Sequence, residues 1–299
     1  MKVLILGSDG FVGCNLSRGL TTHEIISADL LPKHNQKNYA QFNICDFDSV
    51  KNTIKDIDVV INLVTNSLTS SLQNPIKNAE VNIIGLLNVL EAIRLNDIKK
   101  IIFTSASSLI GQPQTTKVTE KHPALPQTAY GITKLASEHY LRLYQEMYGI
   151  RYVIFRFFNI YGPYQKNGLI PTFYTKIKRK EPLTVFGKGN QIRDYVYIKD
   201  ILPFFEKAIS TTIADNQILN LGTGKGTSII QVIKIMSEIM SVMPIIEYKV
   251  ERSGEIGNFV ANTSNLRTVF DTVPSTTIEE GLKHTISWLN EINDNYSLN

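Results

Sequence analysis

The sequence predicts an α/β protein: a doubly wound parallel sheet in the first half, with a smaller C-terminal lobe interleaved with it. Three observations carry this. Short β-rich runs alternate with longer amphipathic stretches. Two of the runs, Val59–Leu63 and Ile101–Thr104, are nearly all apolar, as parallel strands covered on both faces must be. A glycine-spaced turn follows the first run and opens the first helical pattern.

Val3–Leu6 reads as the first strand and Phe11–Leu20 as the first helix. Between and into them runs Gly7-Ser8-Asp9-Gly10-Phe11-Val12-Gly13. Glycines at this spacing allow a tight turn, close backbone approach to a pyrophosphate, and close packing of helix on sheet. The free N–H groups of the helix start then face the phosphates. Glu24–Ala28 is the second strand, and Asp29 at its end lies about 20 residues beyond the glycines. A carboxylate there accepts from the ribose hydroxyls of adenosine and repels a 2′-phosphate, so the cofactor expected is NAD. Asp46 is placed either to touch the adenine or to face solvent from a turn.

Helical patterns follow near Ser49–Lys55, Pro75–Leu95 and Thr128–Tyr148, with Tyr152–Phe155 as the fifth strand. After about Gly162 the turns Gly162-Pro163, Asn167-Gly168 and Gly187-Lys188-Gly189-Asn190 separate shorter elements. Two βα-like pieces lie around Gln217–Leu221 and Thr227–Met240, and helices near Leu266–Phe270 and Thr277–Glu291 close the chain. The expected division is a dinucleotide-binding unit of residues 1–162, joined by about 194–222, and a mainly substrate-binding lobe of 163–299.

Composition narrows the functional classes. The formal charge of +4 over 299 residues is small. The densest basic run, Lys176-Ile177-Lys178-Arg179-Lys180, carries apolar residues between its charges and reads as a solvated helix end, not a nucleic-acid surface. No apolar run approaches the roughly 18 residues of a membrane span. Cys14 and Cys45 lack metal-type or disulfide spacing, which fits a reducing, cytoplasmic setting. The five histidines have no ligand spacing either, and no metal is expected.

The chemistry concentrates in Tyr130-Gly131-Ile132-Thr133-Lys134. Residues four apart on a helix lie one turn above each other. An ammonium beside a phenol favours the phenolate, and a phenolate is a general base for an alcohol. Alone, such a pair more often means a half-buried ring beside a solvated amine.

With the glycine turn, Asp29 and Tyr130…Lys134 in order, the chain resembles the extended short-chain dehydrogenase/reductases, whose dinucleotide unit is of the Rossmann type. Among them it is most similar to nucleotide-sugar epimerases of the UDP-glucose 4-epimerase type. Further matching segments are Val81-Asn82-Ile83-Ile84-Gly85, Thr104 to Gly111, Arg156 to Pro163, Gly187 to Tyr195, and Arg252-Ser253-Gly254-Glu255. The resemblance implies cofactor contacts from Leu30, Asp46, Phe47, Leu63, Val64, Asn82, Thr104 and Phe157, in addition to the glycine turn and Asp29. It implies substrate contacts from Ser105, Ala106, Asn159, Leu169, Phe186, Arg193, Tyr195, Arg252 and Glu255. Arg193 and Arg252 would clamp a diphosphate, since guanidinium donors match phosphate oxygens. Glu255 would accept from the ribose of the substrate nucleotide, and Asn159 would donate to a phosphate or sugar oxygen. Phe259 sits where relatives set the room for the sugar's C2 substituent. A UDP-linked hexose substrate and a homodimer built through Thr128–Tyr148 and a second helix are likewise implied.

One departure matters chemically. The family's Ser or Thr, five residues before the glycine aligned with Gly111, is Ala106 here, so Ser108 or Ser107 would have to supply the missing hydroxyl. Neither carries the carboxylate that related dehydratases and decarboxylases use in this segment. The usual Tyr before Gly111 is Ile110, and the usual His of the strand Val59–Leu63 is Asn62. The expected activity is C4 epimerisation of a nucleotide-diphosphate hexose of the UDP-glucose/UDP-galactose type. The alternatives are a 4-keto-sugar reductase and a binding protein that has lost catalysis.

Overall fold

Alternate residues of each central strand enter different cores, which is why these strands are apolar throughout. The computed structural model describes residues 1–33, 37–251 and 256–296. Seven strands, β1 (Lys2–Leu6), β2 (Glu24–Asp29), β3 (Tyr39–Gln41), β4 (Val59–Asn62), β5 (Lys100–Ala106), β6 (Arg151–Phe157) and β7 (Gln217–Leu221), make one sheet. Their order is β7-β6-β5-β4-β1-β2-β3, and every neighbouring pair is parallel. Val3, Ile5, Val59, Ile61, Val153 and Phe155 pack into one core. Their neighbours Leu4, Leu6, Val60, Tyr152 and Ile154 pack into the other. Each such aliphatic side chain, fully buried, contributes about 1.5–3 kcal/mol relative to exposure.

The helices are α1 (Phe11–Gly19), α2 (Phe47–Thr53), α3 (Leu68–Gln73), α4 (Pro75–Ala79), α5 (Gly85–Leu95), α6 (Ala129–Tyr148), α7 (Leu169–Lys178), α8 (Leu202–Ser210), α9 (Ile229–Met240), α10 (Ser264–Phe270) and α11 (Ile278–Tyr296). The chain runs outward from β1 to β2 and β3, then returns to place β4 on the other side of β1. That reversal opens a crevice at the carboxyl ends of β1 and β4, where ligands of such sheets bind.

The single helix expected over Pro75–Leu95 is instead α4, a π-helical turn at Glu80–Ile84, and α5. The extra residue in that turn lies beside Asn82, whose side chain bonds to neighbouring segments. The helix expected at Ser49–Lys55 begins at Phe47, because Asp46 caps it. Leu169–Lys178 and Leu202–Ser210 are helices that the periodicity did not disclose. Lys176 and Lys178 occupy the last turn of α7, where cations offset the negative end of the helix dipole.

Beyond Gly162 the chain also forms small sheets. Ile192–Arg193 pairs with Thr227–Ser228 and with Asn258–Ala261. Tyr195–Tyr197 pairs with Asn159–Tyr161, and Ile246–Lys249 with Leu183–Phe186. No helix of the described residues is long and apolar enough to cross a membrane.

Candidate active site

The glycine turn forms a backbone cradle. Gly7 has φ +83°, a conformation that side chains other than glycine's adopt with strain. A Cβ on Gly13 would lie 2.2 Å from the Gly7 carbonyl oxygen, so only glycine lets α1 close on the turn. The N-cap, Gly10, brings no side-chain acceptor, leaving the first N–H groups of α1 to a bound anion. Phe11 and Val12 form that first turn. Asp29 stands beside it, its two oxygens accepting from the N–H groups of Asp9 (2.8 Å) and Leu30 (2.7 Å). The carboxylate therefore braces the turn from which it would also reach a ribose. Lys33 pairs with Asp9, and the Tyr39 hydroxyl donates to Asp9 at 3.2 Å. This cradle fits the pyrophosphate and adenosine of NAD.

Asp29, Leu30 and Val64 meet Phe42, Cys45 and Val81 around a slot of about 180 Å³. Phe42 and Cys45 escaped sequence reading because they lie in loops without a motif, and Val81, though it opens the matching segment Val81–Gly85, was not read as lining a site. Asp46, expected to touch the adenine or to face solvent, is exposed, and its Oδ1 caps the following helix by accepting from Asp48 N (3.1 Å) and Ser49 N (3.3 Å). Phe47 packs half-buried against a core rather than lining the slot. The Leu63 N–H is tied to the Leu6 carbonyl at 3.0 Å.

Tyr130 lies in the first turn of α6, whose N-cap Thr128 accepts from Gly131 N at 3.1 Å. Gly131 brings the helix against the turn Ser107–Ile110: a Cβ there would sit 2.9 Å from the Ser108 carbonyl oxygen. Lys134 is buried, donates to the Thr104 carbonyl at 2.8 Å, and holds its Nζ 5.7 Å from the Tyr130 ring centre. Burial pushes the Tyr130 hydroxyl up to about 12, while a hydrogen bond with Thr65 lowers it in part. Burial likewise brings Lys134 down to about 7, against Glu138 one turn further on. The expectation that Lys134 lowers the Tyr130 pKa is thus not met without ligands, because desolvation outweighs the distant ammonium.

The serines separate clearly. Ser105, expected to touch substrate, is buried and donates its hydroxyl to Glu138 Oε1 at 2.6 Å. Glu138 also takes Arg156 Nε at 2.9 Å and Nη2 at 2.7 Å. Ser107 is buried, Ala106 is half-buried, and the Ser108 Oγ is buried without a protein partner. An orphaned hydroxyl in this turn fits a site awaiting a ligand. Asn82, expected to touch the cofactor, is buried and ties neighbouring segments together. It accepts from Asn66 N at 2.7 Å and donates to Thr133 Oγ1 at 3.0 Å, joining the loop after β4 to α6.

In the lobe, Leu169 and Phe186 line one cleft of about 320 Å³ with Gln191. Gln191 donates to the Phe186 carbonyl at 2.7 Å and leaves a buried Oε1 without a partner. Its signal was its place in the turn after Asn190, which composition alone does not mark as a ligand site. Tyr195 lines a different cleft, with Thr223 and Thr276, its hydroxyl buried and pushed up to about 12. Asn159 is exposed and pairs with Tyr195 across the short sheet. Arg193 Nη1 donates to the carbonyls of Ile256 (2.7 Å) and Ile192 (2.9 Å). Phe157 meets Phe205 edge-on, and Phe259 is buried and stacked on Phe158 at 5.4 Å. Arg252 and Glu255 lie outside the described residues.

The family model described as the NAD dependent epimerase/dehydratase family matches residues 3–222. A protein of Methanocaldococcus jannaschii described as a putative UDP-glucose 4-epimerase is 31% identical, covering 97% of this chain and 99% of its own. The structure of a UDP-glucose 4-epimerase from Thermotoga maritima with UDP-glucose superposes with a TM-score of 0.89 at 28% identity, covering 98% of this chain and 100% of that one. A UDP-glucuronic acid 4-epimerase from Bacillus cereus, in complex with UDP-glucuronic acid and NAD, has a TM-score of 0.89 at 25% identity, with 98% and 100% coverage.

Proposed function

The chain belongs to the NAD dependent epimerase/dehydratase family, with NAD as its cofactor, and on that footing we propose that it interconverts the C4 epimers of a UDP-linked hexose. The observation that carries the reading is the placement of Tyr130 and Lys134 at the carboxyl end of β5, on the same edge of the sheet as the glycine cradle. NAD, when bound, supplies the acceptor and donor of the C4 hydride. The chain's own groups do the rest. Tyr130 takes the proton of the 4-hydroxyl and returns it after the sugar has turned. Lys134, fixed by the Thr104 carbonyl, holds positive charge beside the phenol. Ser108, with its unpartnered Oγ, faces the developing alkoxide. The cradle holds pyrophosphate, and Arg193 with Arg252 holds the substrate diphosphate.

We read residues 1–162 with about 194–222 as the nucleotide-binding unit and the remainder as the substrate lobe. The buried Phe259 on Phe158 supports a pocket sized for hexoses of the UDP-glucose/UDP-galactose type. Exposed Leu95 on α5, with Leu143 and Met147 on α6, supports a homodimer across those helices.

The test is incubation with catalytic NAD and UDP-glucose, UDP-galactose, UDP-glucuronate or UDP-N-acetylglucosamine, followed by NMR. Interconversion of a C4 pair, lost in Tyr130→Phe, supports the proposal. Stoichiometric consumption of NADH with a 4-keto sugar would replace it by reduction, and inertness towards all four sugars would overturn it.

A further inference from the structure

Between the later turns of α1, the turn that follows Gly162 and the middle of α11 lies a cavity of about 580 Å³, within the roughly 300–1,000 Å³ of small-molecule clefts. It shares no lining residue with the slot beside Asp29 or with the two clefts of the lobe. Aromatic rings form its walls. Trp288, the only tryptophan of the chain, has its ring centre 5.1 Å from that of Tyr164, and Arg18 Cζ stands 5.1 Å from the Tyr164 centre. Tyr197 stacks on His284 at 5.8 Å. Tyr164 adopts φ +70°, a left-handed conformation that strains a residue of its bulk, and such strain gathers where a side chain has to be presented.

The polar groups around these rings have hydrogen-bonding capacity to spare. Tyr197 is 4% exposed, yet its hydroxyl bonds to none of the described residues. Asn15 is 7% exposed, and its Nδ2 donates to the carbonyls of Phe11 and Pro163, each at 2.9 Å. Its Oδ1 has no partner among the described residues. Polar groups left in this way on buried side chains call for a ligand or water. Arg18 and Lys199 are exposed, and neither pairs with a carboxylate among the described residues. Glu291, which accepts from Ser287 at 3.4 Å, is the one carboxylate among the described lining residues. The cavity is therefore aromatic at its walls and carries two cations where it meets solvent.

We propose that this cavity is a second ligand site, for a nucleoside monophosphate: the base lies against Tyr164 and Trp288, and Arg18 with Lys199 holds the phosphate. Rings of this kind stack planar bases, and cations meet phosphate oxygens through charge-assisted hydrogen bonds. The Tyr197 hydroxyl, Asn15 Oδ1 and Glu291 serve the ribose and the base edge, the first as donor and the others as acceptors. A nucleotide seated there bridges α1, whose first turn belongs to the glycine cradle, and α11, which ends the described chain. No covalent bond changes at this site, and the inference stands independently of the epimerase reading.

The experiment follows the Trp288 emission of the full chain, saturated with NAD, during titration with AMP, UMP, uridine and inorganic phosphate. NAD fills the cradle, and a lone tryptophan makes the signal local to the cavity. AMP and UMP should both change the emission saturably, with uridine and phosphate at least roughly tenfold weaker. Arg18→Gln should weaken AMP roughly tenfold or more, the loss of a charged hydrogen bond, while calorimetry finds NAD affinity unchanged. Tyr164→Gly should weaken AMP comparably, and because glycine suits φ +70° the backbone keeps its course. AMP affinity unchanged in both variants would overturn the inference. So would the absence of saturable AMP binding by emission and calorimetry, or phosphate bound as tightly as AMP. Inertness towards every sugar would defeat the proposed function and leave these titrations standing.

Discussion

The two walls of the site bury polar groups on opposite principles. Beneath Tyr130 the buried groups are ionisable: Lys134, whose amine burial brings down to about 7, and Glu138 with Arg156, joined through both oxygens of the carboxylate. In the lobe Asp194 is buried just as deeply, yet its partners are neutral: Thr223 N and Oγ1, Gly224 N and Ala261 N. Burial pushes the Asp194 pKa up in spite of those donors. The contrast teaches what each wall is for. Ionisable groups are placed where a proton must move, and the Glu138–Arg156 pair among them is held by countercharge. Where segments distant in sequence must be locked around a ligand cleft, neutral backbone donors suffice.

The largest expected effect tests whether the charged wall is the reacting one. Tyr130→Phe should lower kcat by about 10²–10⁴, the range of a lost general base, with NAD affinity retained. Next, Glu138→Ala should destabilise the fold by about 3–5 kcal/mol in urea titrations, since it strands the Arg156 guanidinium in the core. Asp194→Ala should cost only about 1–3 kcal/mol, leaving neutral donors unpaired. Equal losses would erase the distinction between the walls.

Lys134 sharpens the contrast in the other direction. Its folded value of about 7 lies below the ordinary lysine value near 10.4. Between these the unfolded chain binds more protons, so this group's contribution to stability rises with pH from about 7 to about 10 and is lost as pH falls through the folded value. Lys134→Met should therefore be more stable than the wild type by up to roughly 4 kcal/mol at neutral pH, less whatever the lost bond to the Thr104 carbonyl contributes, the gap closing towards pH 10. Activity should fall at the same time. Thermal unfolding across this pH range checks it, and a variant less stable at pH 7 would contradict the desolvation argument.

Legibility followed the same division. The parallel sheet, the glycine turn, Asp29 and the Tyr130–Lys134 spacing are properties of contiguous residues, and period and spacing disclose them. The commitment of Ser105 to Glu138 was not legible, because Glu138 lies 33 residues away and nothing local turns the hydroxyl towards it. The π-helical turn was hidden because one inserted residue barely alters apolar periodicity over Pro75–Leu95. In the lobe, Asp194 joins Thr223, Gly224 and Ala261 across up to 67 residues, which no motif encodes.

Asp46 supplies the smallest effect and the finest test, because it belongs to the nucleotide-binding half yet behaves as Asp194 does. It is an exposed carboxylate whose acceptor capacity goes to two backbone N–H groups at the start of α2. If that is its whole function, Asp46→Ala should destabilise by about 1 kcal/mol, the usual loss for a helix cap, and leave the NAD dissociation constant unchanged. Asp46→Asn should recover most of the stability, since an amide oxygen caps nearly as well. A carboxylate that touched adenine would behave differently: NAD affinity would fall in both variants, most in the alanine. Calorimetric NAD titrations beside urea unfolding separate the two outcomes. A loss of affinity without loss of stability would return Asp46 to the cofactor site and show that the neutral-donor principle stops at the lobe.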